Sequence, residues 1–232
     1  MCFSAEASFA ASGVLAASSV VIARIPKERA SIPLSLFPAI FATHQFIEGV
    51  IWLNYEGVVP DTLRSGAVYA YALIAFVLWP IVVPLSAYLL EKGRDRRRIM
   101  LLCQAIGLAV GLALLFRLVR TAPQAAVDCC SISYLVHAPE WFIVPYLIAV
   151  SIPFLASSQR SLVLFGVGIA SSCAVVAVTT SVATFPSVWC FFAALLSAGL
   201  YLHFWAAARR SMLSEPARRT GPPGVISGGQ AA

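Results

Sequence analysis

Seven apolar runs, each near the roughly 20 residues that carry a helix across about 30 Å of hydrocarbon, constrain this chain more than any other feature. They occupy residues 5–23, 32–54, 67–90, 99–119, 141–157, 161–183 and 186–207. Composition agrees: of 232 residues 60% are hydrophobic and 11% charged, and mean hydropathy is +0.86, which leaves too little polar surface to cover a water-soluble domain. The expected fold is all-α, a seven-transmembrane-helix bundle over residues 1–210, followed by a disordered tail over 211–232 that is rich in Pro, Gly, Ser and Arg. No basic stretch precedes the first run, which is therefore read as a retained span rather than a removable signal.

Charge placement predicts orientation. With seven spans, one side of the membrane receives thirteen basic residues: Arg24, Lys27 and Arg29; Lys92, Arg94, Arg96, Arg97 and Arg98; Arg160; and Arg209, Arg210, Arg218 and Arg219. The other side receives only Arg64, Arg117 and Arg120. Basic residues gather on the cytoplasmic side, so the N-terminus is expected outside and the C-terminus in the cytoplasm of an inner-membrane protein. The net charge of +6 is thereby explained by topology and membrane lipids, and no nucleic-acid partner is expected. Only Lys27 and Lys92 are lysines and neither lies in an apolar run, which excludes a retinal-type Schiff base.

Within the second run, His44, Glu48 and Trp52 repeat at four-residue spacing and so share one helix face. A carboxylate at membrane depth is costly unless paired, protonated or bound to a cation, which makes Glu48 the centre of a functional hypothesis. The predicted topology gathers further groups on the same half: Cys2 and Glu6 at the start, then Asp128, Cys129, Cys130, His137 and Glu140 in the longest connection, and Cys190 at the start of the last run.

Three arrangements of these groups compete. In a metal site, His44, Glu48, His137 and Glu140, with Cys2 available, would hold zinc or another divalent transition metal and support hydrolysis or redox chemistry on a lipid-phase substrate, with Glu48 and Cys2 as catalytic groups. In an ion pair, Glu48 would meet Arg117. In an oxidising compartment, Cys2, Cys129, Cys130 and Cys190 would form disulfides, the alternative for Cys2 being a free N-terminal thiol. A non-enzymatic sensor, or a proton- or cation-coupled transporter with Glu48 as relay, is the alternative function. A small lipophilic ligand or substrate is the expected partner.

Packing cues complete the picture. Gly107 and Gly111 form a small-xxx-small pair, Gly166 and Ala170 lie on a small face, and Pro80, Pro84, Pro145 and Pro153 interrupt two spans. Trp52, Trp141, Trp189 and Trp205 are expected in interfacial belts. The opening Met1-Cys2-Phe3-Ser4-Ala5, with His44-Gln45-Phe46-Ile47-Glu48-Gly49 and Trp52, resembles an uncharacterised family of small bacterial multi-pass membrane proteins that begin with this pentapeptide. That resemblance implies a membrane fold and carries no catalytic role. By topology alone the chain also resembles zinc-dependent membrane hydrolases of lipid amides, but the three-histidine pattern of that group is not matched, because His203 is expected at the opposite face from His44 and His137.

Overall fold

In a computed structural model of the protein, residues 4–128 and 131–219 are described. Ser4 caps α1 (Ala5–Arg24) by accepting the Ala7 N–H at 3.3 Å, as a serine ahead of a helix is expected to do. A 3-10 turn (Arg29–Ser31) and the short α2 (Ile32–Ser35) lead into α3 (Phe37–Tyr55), with Pro33 and Pro38 in first turns, where a missing N–H costs nothing. Gly57, at φ +78°, stops α3: its N–H bonds the Asn54 carbonyl and the Val58 N–H bonds that of Leu53, a closure that needs the left-handed region. Then follow α4 (Asp61–Ala72), a π-helical segment (Leu73–Leu78), α5 (Trp79–Leu90) and α6 (Arg94–Arg120). The chain returns through α7 (Ile143–Leu155), α8 (Arg160–Thr179), α9 (Phe185–Ala198) and α10 (Leu200–Arg219).

Among the described residues these segments form seven apolar helical units. Six are long and apolar enough to cross a membrane: Ala5–Arg24, Arg29–Tyr55, Asp61–Leu90, Arg94–Arg120, Arg160–Thr179 and Phe185–Arg209. The unit Glu140–Leu155 is shorter, yet it covers the same depth as α6. Arg117 Nη1 donates to the His137 carbonyl at 3.3 Å before it, and Arg96 Nη1 donates to the Ala156 and Ser157 carbonyls at 3.0 and 2.6 Å after it. The helix of residues 200–219 also continues into the segment expected to be disordered, whose remainder lies outside the described residues.

One departure from an all-helical fold occupies the longest connection. β1 (Gln124–Asp128) and β2 (Ser131–Leu135) pair antiparallel, with Asp128 opposite Ser131. The sequence alternates Ser131-Ile132-Ser133-Tyr134; Ile132 and Tyr134 are 0% and 3% exposed, and Ser133 between them is buried too, its hydroxyl donating to the Ala126 carbonyl across the hairpin. The Tyr134 N–H bonds the Ala183 carbonyl and the Tyr55 hydroxyl donates to the Ala125 carbonyl, so the hairpin caps one end of the bundle.

The opposite end carries the Arg94–Arg98 cluster and is held by Glu91. Its carboxylate accepts the N–H groups of Lys92, Gly93 and Ser158 at 3.0, 2.9 and 2.7 Å, joining the turn after α5 to the turn after α7. Burial pushes the Glu91 carboxyl up, but these hydrogen bonds outweigh it and hold the group below the ordinary carboxylate value.

Prolines and glycines set how α5 and α6 meet. In the π segment the Trp79 N–H bonds the Ile74 carbonyl, and Pro80 has no N–H, so the Ala75 carbonyl lacks both its α and its π backbone partner. The Tyr146 hydroxyl donates to it at 2.5 Å. Pro84 likewise frees the Pro80 carbonyl, against which Gly107 packs so closely that a Cβ there would lie 1.8 Å from the oxygen.

Candidate functional site

The helix α3 lies at the centre of the bundle. Of its most apolar window 61% is buried, against 22–50% for the other five spans, so polar side chains on α3 face protein rather than lipid. His44, Gln45 and Glu48 are 0%, 0% and 2% exposed. The stripe expected from the four-residue spacing is real, and its Trp52 is buried as well.

Glu48 is held by neutral donors. Ser187 Oγ, on the first turns of α9, donates to Oε1, and Gln45 Nε2 donates to Oε2 at 3.4 Å. The expected pair with Arg117 does not form: Arg117 is exposed and spends Nη1 on the His137 carbonyl, turned away from the core. Among the described residues the recorded ion pair is Arg98 with Asp95, at the basic end of the bundle. Among the described residues this buried carboxyl thus has hydrogen bonds but no cation.

Rings and orphaned polar atoms surround it. His44 stacks on Tyr71 of α4 with centroids 4.0 Å apart and planes at 23°, and Tyr71 stacks on Tyr134 of β2 at 3.9 Å and 3°. Neither His44 ring nitrogen has a hydrogen bond of proper geometry, although the Tyr71 main chain lies close enough to act on the ring. Gln45 Oε1 and Trp52 Nε1 are buried without partners too, and the Tyr71 hydroxyl has only the Tyr134 hydroxyl and the Cys190 thiol within reach, at poor geometry. Tyr71, Tyr134 and Cys190 pack in one cluster with Ile51 and Trp52, the next turn of α3 after Glu48. Buried polar atoms are almost always satisfied, so such a concentration of exceptions marks space for water or a ligand.

A cavity of about 320 Å³ adjoins the cluster. Leu114, Phe142, Tyr146 and Trp189 form apolar walls, exposed Glu140 lies at its edge, and Tyr134 and Cys190 separate it from Glu48. Its size falls in the roughly 300–1,000 Å³ range of small-molecule sites, and mostly apolar walls with a few convergent polar groups are the usual build of one. A second, small cavity of about 30 Å³ lies among Phe37, Phe41, Trp79, Val83 and Phe154 and shares Tyr146, Trp189 and Cys190 with the first.

The expected four-residue metal set is not brought together. His137 and Glu140 are exposed on the connection ahead of α7, whereas His44 and Glu48 are enclosed by helices. Among the described residues no three His, Cys, Asp or Glu side chains converge on a metal-sized space. Cys190 is a free, buried thiol rather than half of a described disulfide, and Cys2, Cys129 and Cys130 lie outside the described residues. Trp52 and Trp189 belong to the core rather than a belt, while Trp141 and Trp205 are exposed. His203 bonds Ser161 at 2.7 Å near the basic end, away from His44.

Four site residues escaped the sequence reading: Gln45, Tyr71, Tyr134 and Ser187. Gln45 adjoins His44 in a run otherwise apolar, and the Ile132–Tyr134 alternation was a legible strand signal. Nothing in local pattern tied Tyr71 or Ser187 to Glu48.

A family model matches residues 1–218, the whole helical bundle described above. The chain belongs to the DUF6629 family, a family of unknown function. No curated protein and no solved structure matches it. For this DUF6629 protein the membrane character rests on its six long apolar helices, and any account of its role rests on the Glu48 cluster and the cavity beside it.

Proposed function

We propose that this protein binds a small lipophilic molecule in the cavity beside Tyr134 and Cys190, the apolar part lying along Leu114, Phe142 and Trp189 and a polar group addressing the cluster around Glu48. The observation that carries this reading is a carboxyl 2% exposed, hydrogen-bonded to Ser187 and Gln45 but facing no cation among the described residues, next to unpartnered polar atoms and an apolar chamber. The thirteen-to-three division of basic residues supports an exoplasmic position for the chamber in a multi-pass inner-membrane protein.

Ligand binding is favoured over ion relay by the packing on the far side of the site. Phe37, Phe41, Val83 and Phe154 pack apolar surface between His44 and the basic end, and the described residues there include no buried acid in line with Glu48 to pass an ion on. Binding is favoured over zinc hydrolysis because the ligating groups are split between core and surface.

The test is extraction and mass spectrometry of small molecules that co-purify with the protein, compared with Ala138→Phe, which fills the cavity from a connecting loop. A lipophilic species retained by the wild type and lost from a folded Ala138→Phe protein is expected. Identical extracts from both would sink the proposal.

A further inference from the structure

The cavity has a sign. Among the described residues its lining contains no lysine or arginine, and Arg117 beside it is committed to the His137 carbonyl; the acid at its edge is Glu140 and the acid behind its polar wall is Glu48. The unpartnered atoms around Glu48 include one acceptor, Gln45 Oε1; beside it the Tyr71 and Tyr134 hydroxyls, which lie within reach of one another, keep lone pairs as well. A His44 nitrogen adds another in the neutral ring, which always keeps one acceptor nitrogen. Between cavity and carboxyl stand aromatic rings, Tyr71 stacked on Tyr134 and Trp52 in the same packed cluster. A carboxylate, uncommitted acceptors and aromatic faces enclosed away from water are the elements that recognise an ammonium group. An anionic head would meet Glu48 and Glu140 with no compensating cation in the lining.

We infer that the molecule held in this cavity is an amphiphile whose head is a protonated amine, drawn past Tyr134 and Cys190 towards Glu48 while its hydrocarbon tail lies against Leu114, Phe142 and Trp189. This rests on the ligand-binding reading above and adds the charge of the head. The ammonium supplies the missing countercharge, and its N–H groups have acceptors to meet. Buried charge pairs of this kind discriminate strongly between heads of different charge, because the wrong head leaves Glu48 desolvated and alone.

Three probes with one tail separate head from tail: dodecylamine, dodecanol and dodecanoate, titrated calorimetrically into the full chain in nanodiscs of zwitterionic phospholipid. The amine is expected to bind about tenfold or more tighter than the alcohol, with dodecanoate weakest. Glu48→Gln should remove the preference, bringing the amine-to-alcohol affinity ratio to about one. Alcohol binding as tight as amine binding, or an amine preference intact in Glu48→Gln, overturns the amine head; if Ala138→Phe still abolishes binding in that case, the ligand-binding reading stands without it. Saturable binding of none of the three probes overturns both. The amine-to-alcohol ratio is read on the wild-type chain, so it decides even where a variant fails to fold.

Discussion

His44 is the residue whose presence stability alone does not explain. Its ring packs as a phenyl ring would, against Tyr71, yet both nitrogens are buried without a proper hydrogen bond. An unsatisfied buried polar group costs about 1–3 kcal/mol. His44→Phe keeps the stack and removes that cost, so it is expected to stabilise the protein by about 1 kcal/mol, measured as a higher unfolding temperature in detergent. A lower temperature would show that the nitrogens have partners in the working protein. At this scale the chain was partly legible: His44, Glu48 and Trp52 share a face because four residues is nearly one helical turn. Ser187, 139 positions from Glu48, was not, since no local rule links two helices so distant in sequence.

Close approach decides stability among the elements, and the glycines report it. At Gly107 a Cβ would meet the Pro80 carbonyl, backbone that cannot move aside, whereas at Gly13 nothing lies within 4 Å. Gly107→Ala is therefore expected to lose about 2 kcal/mol or more and Gly13→Ala to gain about 0.5–1 kcal/mol, both followed by unfolding in detergent. Similar losses at both sites would mean that helix contact is not the cause. The small residues on the fourth run pointed to this contact, but its partner was hidden. The partner exists because Pro84 strips the Pro80 carbonyl of its helical bond. The hairpin was missed for a different reason: five-residue strands between long apolar runs look like loop unless alternation is counted.

For the whole molecule, the two ends are built differently. The hairpin end holds the polar cluster and its cavity; the basic end is closed by Glu91, which ties two turns separated by 67 positions. Because its folded carboxyl titrates below the ordinary 4.5, the contribution of Glu91 is complete above that value and lost as pH falls through the lower folded value. Glu91→Gln should cost about 1 kcal/mol or more at neutral pH and flatten the acid limb of a stability-versus-pH curve. An unchanged acid limb would remove Glu91 from the account.

The number of helical units, their approximate limits and the candidate acid at membrane depth followed from the amino-acid order alone, because hydrocarbon thickness imposes a length and a polarity on any segment that crosses it. Which side chains answer Glu48 did not follow. That Arg117 faces away while Ser187 and Gln45 take its place, and that two tyrosines from separate elements stack between His44 and the chamber, depends on how helices rotate and settle against one another. Rotation is set by contacts such as Gly107 on Pro80 and Gly49 on Phe9, which are sums over the whole bundle and have no local signature.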